Sequence, residues 1–231
     1  MTKIKNITVL TGSTRGRKTA SESMVNYLAA KLENECISLK MYRAYQIFQI
    51  EDEVQLLIKH LKTSDMLLIC SPVYVDSLPY PLINLMEQLS KVISDEFWQN
   101  KKMMVIIHSG YPKDIQRKAS LAICKNFADE MGMQWLGGIG FGGSPIIDGK
   151  PLEDVGRFTK WMRMSLDEMS KSILAGSKIS DKANRYAAKH FPSIPLWILK
   201  VMLNLKAKSM AKKNGVNLYD QPYLTNKKGE I

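Results

Sequence analysis

Cysteine and histidine are scarce, at three residues each in a chain of 231. Cys36, Cys70 and Cys124 lie far apart, with no Cys-x-x-Cys pair and no histidine at metal-ligand spacing. That excludes a disulfide framework, argues against zinc or iron–sulfur sites, and leads us to expect a reducing, cytoplasmic setting. Long apolar runs are missing too. The N-terminal MTKIKNITVLTGS is too short in apolar residues for a signal-peptide core, and no uninterrupted run approaches the roughly 20 residues of a membrane span. There is no internal repeat and no low-complexity tract. No Ser/His/Asp order or carboxylate pair points to hydrolysis.

What is present is ordinary globular composition, 45% hydrophobic and 24% charged, in a length suited to one domain with something left over. The formal net charge of +11 is unevenly placed: residues 171–231 carry +9 of it and residues 1–170 only +2. Any attraction to anionic partners therefore concerns the C-terminal quarter.

Short apolar, β-branched runs (Ile7 to Leu10, Cys36 to Met41, Met66 to Cys70, Met103 to Ile107, Trp135 to Phe141) alternate with stretches of helical period. The helical stretches are Ala20 to Leu32, Glu51 to Leu61, Pro81 to Val92, Asp114 to Met131 and Leu152 to Leu174. Runs such as MLLIC and MMVII are apolar on both faces, as in a parallel sheet covered by helices on each side. The alternation predicts an α/β, doubly wound five-stranded parallel sheet. A domain over 1–175 is expected, followed by a basic helical extension over 176–231. In the extension the spacing predicts a helix from Ser193 to Lys213, stopped by Asn214-Gly215.

Ligands of such sheets bind beyond the carboxyl ends of the strands. Gly, Ser, Thr and Pro crowd those junctions here: TGSTRGRKTAS after the first strand, SPVYVDSLPYP after the third, HSGYPKD after the fourth and GGSPIIDGKPLED after the fifth. The first is a strand-to-helix turn whose backbone N–H groups and helix dipole suit a phosphate, or a plain turn capped by Thr19 or Ser21. It is not a Walker A loop, because Gly12 and Gly16 are separated by three residues and Lys18 does not follow Gly16 directly. Nor is it the dinucleotide fingerprint, since Gly12 is followed by Ser13, Thr14 and Arg15 before the next glycine.

GSTRGRKTAS, with SPVYVDSLPYPLINLMEQL and HSGYP in order on the expected strands, resembles the NAD(P)H-dependent FMN reductase group of flavodoxin-like proteins over residues 4 to about 145. The Tyr-x-x-Pro-Tyr segment Tyr219 to Tyr223 is similar to the end of basic-tailed members. The resemblance implies that Ser13, Arg15, Thr19, Ala20 and Ser21 surround the FMN phosphate. It also implies that Pro72, Val73, Tyr74 and Val75, with Leu78 nearby, line the ring edge and ribityl chain, and that Ser109 and Gly110 border the ring. Arg17 and Lys18 stand where such loops often carry Gly-Asn. Tyr74 and Tyr111 are candidates for an aromatic face on the flavin, or are simply packed loop residues. His108, Asp76 and Cys70 read more readily as a structural histidine, a turn residue and a packing thiol.

The activity implied is FMN-dependent oxidation of NAD(P)H, with electrons passed to a quinone, azo or nitro compound, flavin or metal acceptor. No protein acid or base is required. Relatives commonly pair, so a homodimer is expected. Two alternatives stay open: a flavodoxin-like electron carrier, against which the near-neutral main domain speaks, and a peripheral membrane or interaction protein. The last rests on SIPLWILKVMLNLKAKSMAKKNG, apolar in its first half and basic in its second, which suits packing, dimerisation or an anionic membrane surface. No recognised nucleic-acid motif accompanies those lysines.

Overall fold

The computed structural model describes residues 3–92, 95–189 and 196–219. Five strands, β1 (Asn6–Thr11), β2 (Ser38–Arg43), β3 (Met66–Pro72), β4 (Lys102–His108) and β5 (Gln134–Phe141), form one parallel sheet in the order β2-β1-β3-β4-β5. This is the flavodoxin-like arrangement. The helices are α1 (Ala20–Glu33), α2 (Ala44–Ile47), α3 (Glu51–Thr63), α4 (Tyr80–Val92), α5 (Asp95–Trp98), α6 (Ile115–Glu130), α7 (Lys160–Leu174), α8 (Asp181–Ala187) and α9 (Leu196–Lys213).

All residues of β3 and β4 are buried, because both sheet faces are covered. Alternate strand residues feed two cores. Ile7, Val9, Leu68 and Met104 pack with Leu28 of α1 and Leu166, Met169 and Ile173 of α7. Leu10, Leu67, Ile69 and Val105 pack with Leu57 of α3, Leu85 of α4 and Phe127 of α6. Each such side chain contributes roughly 1.5–3 kcal/mol of burial, which fixes the register and so fixes where the strand ends fall.

Three expectations are corrected. The helix expected from Leu152 begins at Lys160, preceded by a 3₁₀ turn at Gly156–Thr159 whose first residue sits at φ 65°. The strand expected from Cys36 begins at Ser38, because Cys36 occupies the turn before it with φ 58°. The boundary expected at residue 175 lies too early. Ile179 and Ala183 belong to the first core, Ile179 N–H donates to Leu136 O at 2.8 Å, and Ser165 Oγ donates to Ala183 O at 2.8 Å. The chain divides instead into units Met1–Phe191 and Pro192–Ile231. The second unit contains α9, which ends at Asn214-Gly215 with Gly215 at φ 66°. The start expected for this helix at Ser193, and the Tyr-x-x-Pro-Tyr segment after Tyr219, lie outside the described residues.

Candidate functional site

The carboxyl ends of β1, β3 and β4 lie side by side: Thr11 pairs with Cys70, and Pro72 with His108. Gly12 makes the first turn possible. Its N–H donates to Cys70 O at 3.0 Å, and a Cβ there would stand 2.2 Å from Ser71 Oγ. The chain then runs through Ser13–Lys18, with Lys18 at φ 56°, to Thr19, the N-cap of α1. Thr19 Oγ1 accepts the Glu22 N–H at 3.1 Å while Glu22 Oε2 accepts the Thr19 N–H at 3.2 Å, a reciprocal capping box. The backbone N–H groups of Ser13, Thr14, Gly16, Arg17, Lys18, Ala20 and Ser21 find no acceptor among the described residues. Together with the helix dipole they form a donor set for an anion.

Charges of both signs surround the turn. Arg15, Arg17 and Lys18 are exposed. Arg15 reaches Asp148 at 3.4 Å, but both side chains are about two-thirds exposed, so the pair is worth at most about 1 kcal/mol. Asp148-Gly149 lies against the turn: a Cβ on Gly149 would fall 1.9 Å from Lys18 O. Behind the cap, Glu22 is buried and ion-paired with Arg43 at the end of β2.

After β3 the chain makes a tight hairpin. Tyr74 N–H donates to Ser77 O at 2.9 Å and Ser77 N–H to Tyr74 O at 3.1 Å, with Val75 and Asp76 between them at φ 50° and 56°. Asp76 is thus a turn residue. Val75, a β-branched residue in the left-handed region and fully exposed, is held there against its preference. Tyr74 is 42% exposed, and its hydroxyl lies 3.1 Å from Thr14 Oγ1, so the hairpin reaches across to the first turn. Pro72 and Leu78 are buried and Val73 is half-buried, shaping the hairpin from beneath.

Arg117, on α6, holds the loop after β4. The residue is 1% exposed, and its guanidinium donates to Ser109 Oγ at 2.8 Å, Tyr111 O at 3.2 Å, Lys113 O at 3.2 Å and Pro112 O at 3.3 Å and pairs with Asp114. Burial pulls its pKa down and Asp114 opposes that. Gly140 clears the space, since a Cβ there would meet Arg117 Nε at 2.9 Å. The arginine fixes the Ser109 side chain and the backbone of Tyr111, Pro112 and Lys113, while Tyr111 itself is 67% exposed.

His108 ties these parts together. Ser144 Oγ donates to Ser109 O at 3.2 Å, which leaves it to accept the Nδ1–H of His108 at 2.9 Å. Nε2 then accepts the Ser21 hydroxyl at 2.8 Å. Burial pulls the His108 pKa down to about 3, so the ring is neutral and structural. Cys70 is buried, with burial pushing its thiol well above its ordinary pKa, and Cys124 is pushed up to about 12; neither is a nucleophile. No cluster able to hold a metal occurs among the described residues.

The profile of the NADPH-dependent FMN reductase family matches residues 5–142, a span that includes all three loops. The chain belongs to that family. It is an FMN-dependent NAD(P)H oxidoreductase. Among solved structures it is similar to RosB with bound 8-demethyl-8-formylriboflavin-5'-phosphate, at 13% identity over 98% of each chain and a TM-score of 0.57. It is similar to the NAD(P)H:quinone oxidoreductase of Methanothermobacter marburgensis, at 12% identity over 67% of this chain and 95% of that one, TM-score 0.52. The FMN-dependent NADH-azoreductase of Bacillus anthracis matches at 12% identity over 79% of this chain and 100% of that one, TM-score 0.50. At these identities the likeness is one of fold. A search of curated proteins gives no significant match.

The donor set of this FMN reductase suits its cofactor: unpaired N–H groups for a phosphate, and two exposed tyrosines on adjacent loops for a flat ring. Of the residues expected from sequence, Ser13, Arg15, Thr19, Ala20 and Ser21 share the first turn; Tyr74 and Val75 project from the hairpin; Ser109, Gly110 and Tyr111 share the Arg117-held loop. Glu22, Arg43, Arg117 and Ser144 were missed. For Glu22 the signal was there, in the Thr-x-x-Glu spacing that marks a capping box, and Ser144 lies in the Gly-, Ser- and Pro-rich junction after β5; Arg117 holds its own neighbouring loop but nothing in its local sequence marks it as buried, and Arg43 reaches Glu22 across the fold.

Proposed function

We propose that the FMN phosphate is held by the turn Ser13 to Ser21, with Arg15 and the Thr19 hydroxyl assisting the backbone N–H groups of Ala20 and Ser21. The ribityl chain and ring edge lie along Pro72, Val73, Tyr74 and Val75, above buried Leu78, and the ring is bordered by Ser109, Gly110 and Tyr111. When bound, FMN would supply the redox chemistry, namely hydride acceptance from a nicotinamide and reduction of a small-molecule acceptor of the quinone, azo or nitro, flavin or metal type. The protein binds and orients. The Arg117-braced loop presents a fixed backbone to the ring, and Tyr74 and Tyr111 supply its apolar faces. No side chain moves a proton in this scheme, in keeping with the neutral, committed His108.

The observation that supports the reading is the bridging of the first turn and the hairpin by Thr14 and Tyr74 at 3.1 Å, which ties together the two loops proposed for the phosphate and the ring. The test is to titrate the protein with FMN and riboflavin, then mix the FMN form with NADPH in a stopped-flow instrument without any partner reductase. Preference for FMN and rapid bleaching support an enzyme. Bound flavin that bleaches only when a separate reductase is added supports an electron carrier. Turnover with benzoquinone, an azo dye, free flavin and ferric citrate then ranks the acceptors.

For α9 we propose a homodimer contact. Residues 196–213 include no acidic residue, and the apolar half precedes the basic half. Light scattering of the full chain tests this, and co-sedimentation with anionic liposomes tests the rival membrane contact. Among the described residues no helix is long and apolar enough to cross a membrane.

A further inference from the structure

A carboxylate adjoins the turn assigned to the FMN phosphate. Glu22 is the third residue of α1, its side chain is 8% exposed, and Oε2 takes up the Thr19 N–H, one of the donors an incoming phosphate would otherwise use. Its other oxygen pairs with Nε of Arg43. Arg43 closes β2, a strand whose following loop is not among the three that form the site. The terminal guanidinium nitrogens of Arg43 have no acceptor among the described residues, and its side chain is 29% exposed.

A lone carboxylate at a helix N-terminus is stabilising. A phosphate monoester at the same turn brings a second anion to roughly one helical turn, about 5 Å, from the first. At a partly buried site two like charges at that range change affinity by roughly an order of magnitude or more, unless a cation neutralises one of them. Arg43 is the cation in place. Arg15, the other arginine with a fixed partner at this turn, is directed to Asp148 at the surface and is screened by water.

We infer that the Glu22–Arg43 pair sets the strength of the phosphate grip, Glu22 weakening it and Arg43 limiting the loss, so that the end of β2 governs how readily FMN exchanges. The inference rests on the placement of the phosphate proposed above. Both residues are positioning residues: they act on the phosphate through the Thr19 cap and through charge.

The test is calorimetric titration of the full chain with FMN and with riboflavin at low salt. Glu22→Gln keeps an acceptor for the Thr19 N–H and removes the charge; FMN binds roughly tenfold tighter and riboflavin is unchanged. Arg43→Gln weakens FMN by a similar roughly tenfold factor, and Arg43→Lys retains wild-type affinity. The double variant Glu22→Gln/Arg43→Gln returns to within about threefold of wild type, because both charges are gone. High salt shrinks each difference. If Arg43→Gln fails to fold, Glu22→Gln and the double variant still decide. FMN and riboflavin affinities shifting together, or a double variant as weak as Arg43→Gln alone, overturns the role of the pair while leaving the phosphate site intact. A wild-type protein that binds FMN no better than riboflavin overturns both.

Discussion

Replacing His108 with Asn probes the joint that holds the first turn to the end of the sheet. In the wild type His108 accepts the Ser21 hydroxyl at 2.8 Å and donates to Ser144 at 2.9 Å, 4% exposed. Asn is too short to span both, so one buried hydroxyl loses its partner and part of the imidazole volume is left empty. That costs about 2–3 kcal/mol at pH 7.5. The size of the effect depends on pH in a direction the structure fixes. The folded-state pKa of His108 is lowered from 6.5 to about 3, so the unfolded chain binds the extra proton first. The stability linked to the neutral ring is fully present above pH 6.5 and is lost progressively as pH falls toward about 3. Between pH 7.5 and pH 5 the wild type therefore loses about 2 kcal/mol that the variant never had. Urea denaturation of both proteins at the two pH values measures it. The gap between them should narrow by about that amount, approaching zero. Parallel pH dependences would show that His108 is not a buried neutral base, and the bridge between Ser21 and Ser144 would have to be abandoned.

Other perturbations have definite outcomes. Gly12→Ala puts a methyl 2.2 Å from Ser71 Oγ, forcing β1 and β3 apart at the mouth of the site; it should cost about 2–3 kcal/mol by denaturation and abolish FMN uptake seen in the visible spectrum. Val75→Gly releases a β-branched residue from φ 50° and should stabilise by about 1 kcal/mol; an unchanged or lower denaturation midpoint would show that no strain is stored there. Arg117→Met leaves four loop acceptors and Asp114 without their donor and should cost about 3 kcal/mol. The loop after β4 should then become cleavable by trypsin at Lys113 in the folded protein, and resistance equal to the wild type would deny Arg117 its bracing role.

Much of the architecture could be read from residue pattern alone. MLLIC and MMVII are apolar at every position, which only a strand covered on both faces tolerates, and β3 and β4 are the sheet's central buried pair with full burial along their length. The helix start at Ala20 follows from Thr19 and Glu22 in capping spacing. Where pattern failed, a local conformation intervened. Leu152 to Thr159 has helical composition but turns through a glycine at positive φ, and Cys36 has strand character but sits in the left-handed region beside β2. The region after residue 175 looked like an extension because it is basic. Its few apolar side chains, Ile179, Ala183 and Ala187, are nonetheless enough to join the core of the main unit.

Sequence by itself determined the sheet, the order of its three glycine- and hydroxyl-rich loops, and the phosphate-suited turn, because each depends on hydrophobic period and turn chemistry within a few residues. Tertiary structure alone decided what braces those loops. Arg117 meets Ser109 across the turn into α6, His108 joins Ser21 to Ser144, and Arg43 reaches Glu22 from a neighbouring strand. The last two are directional bonds between residues brought together by strand order, and a buried charge or hydroxyl is satisfied by whichever partner the packing delivers, however distant it is along the chain.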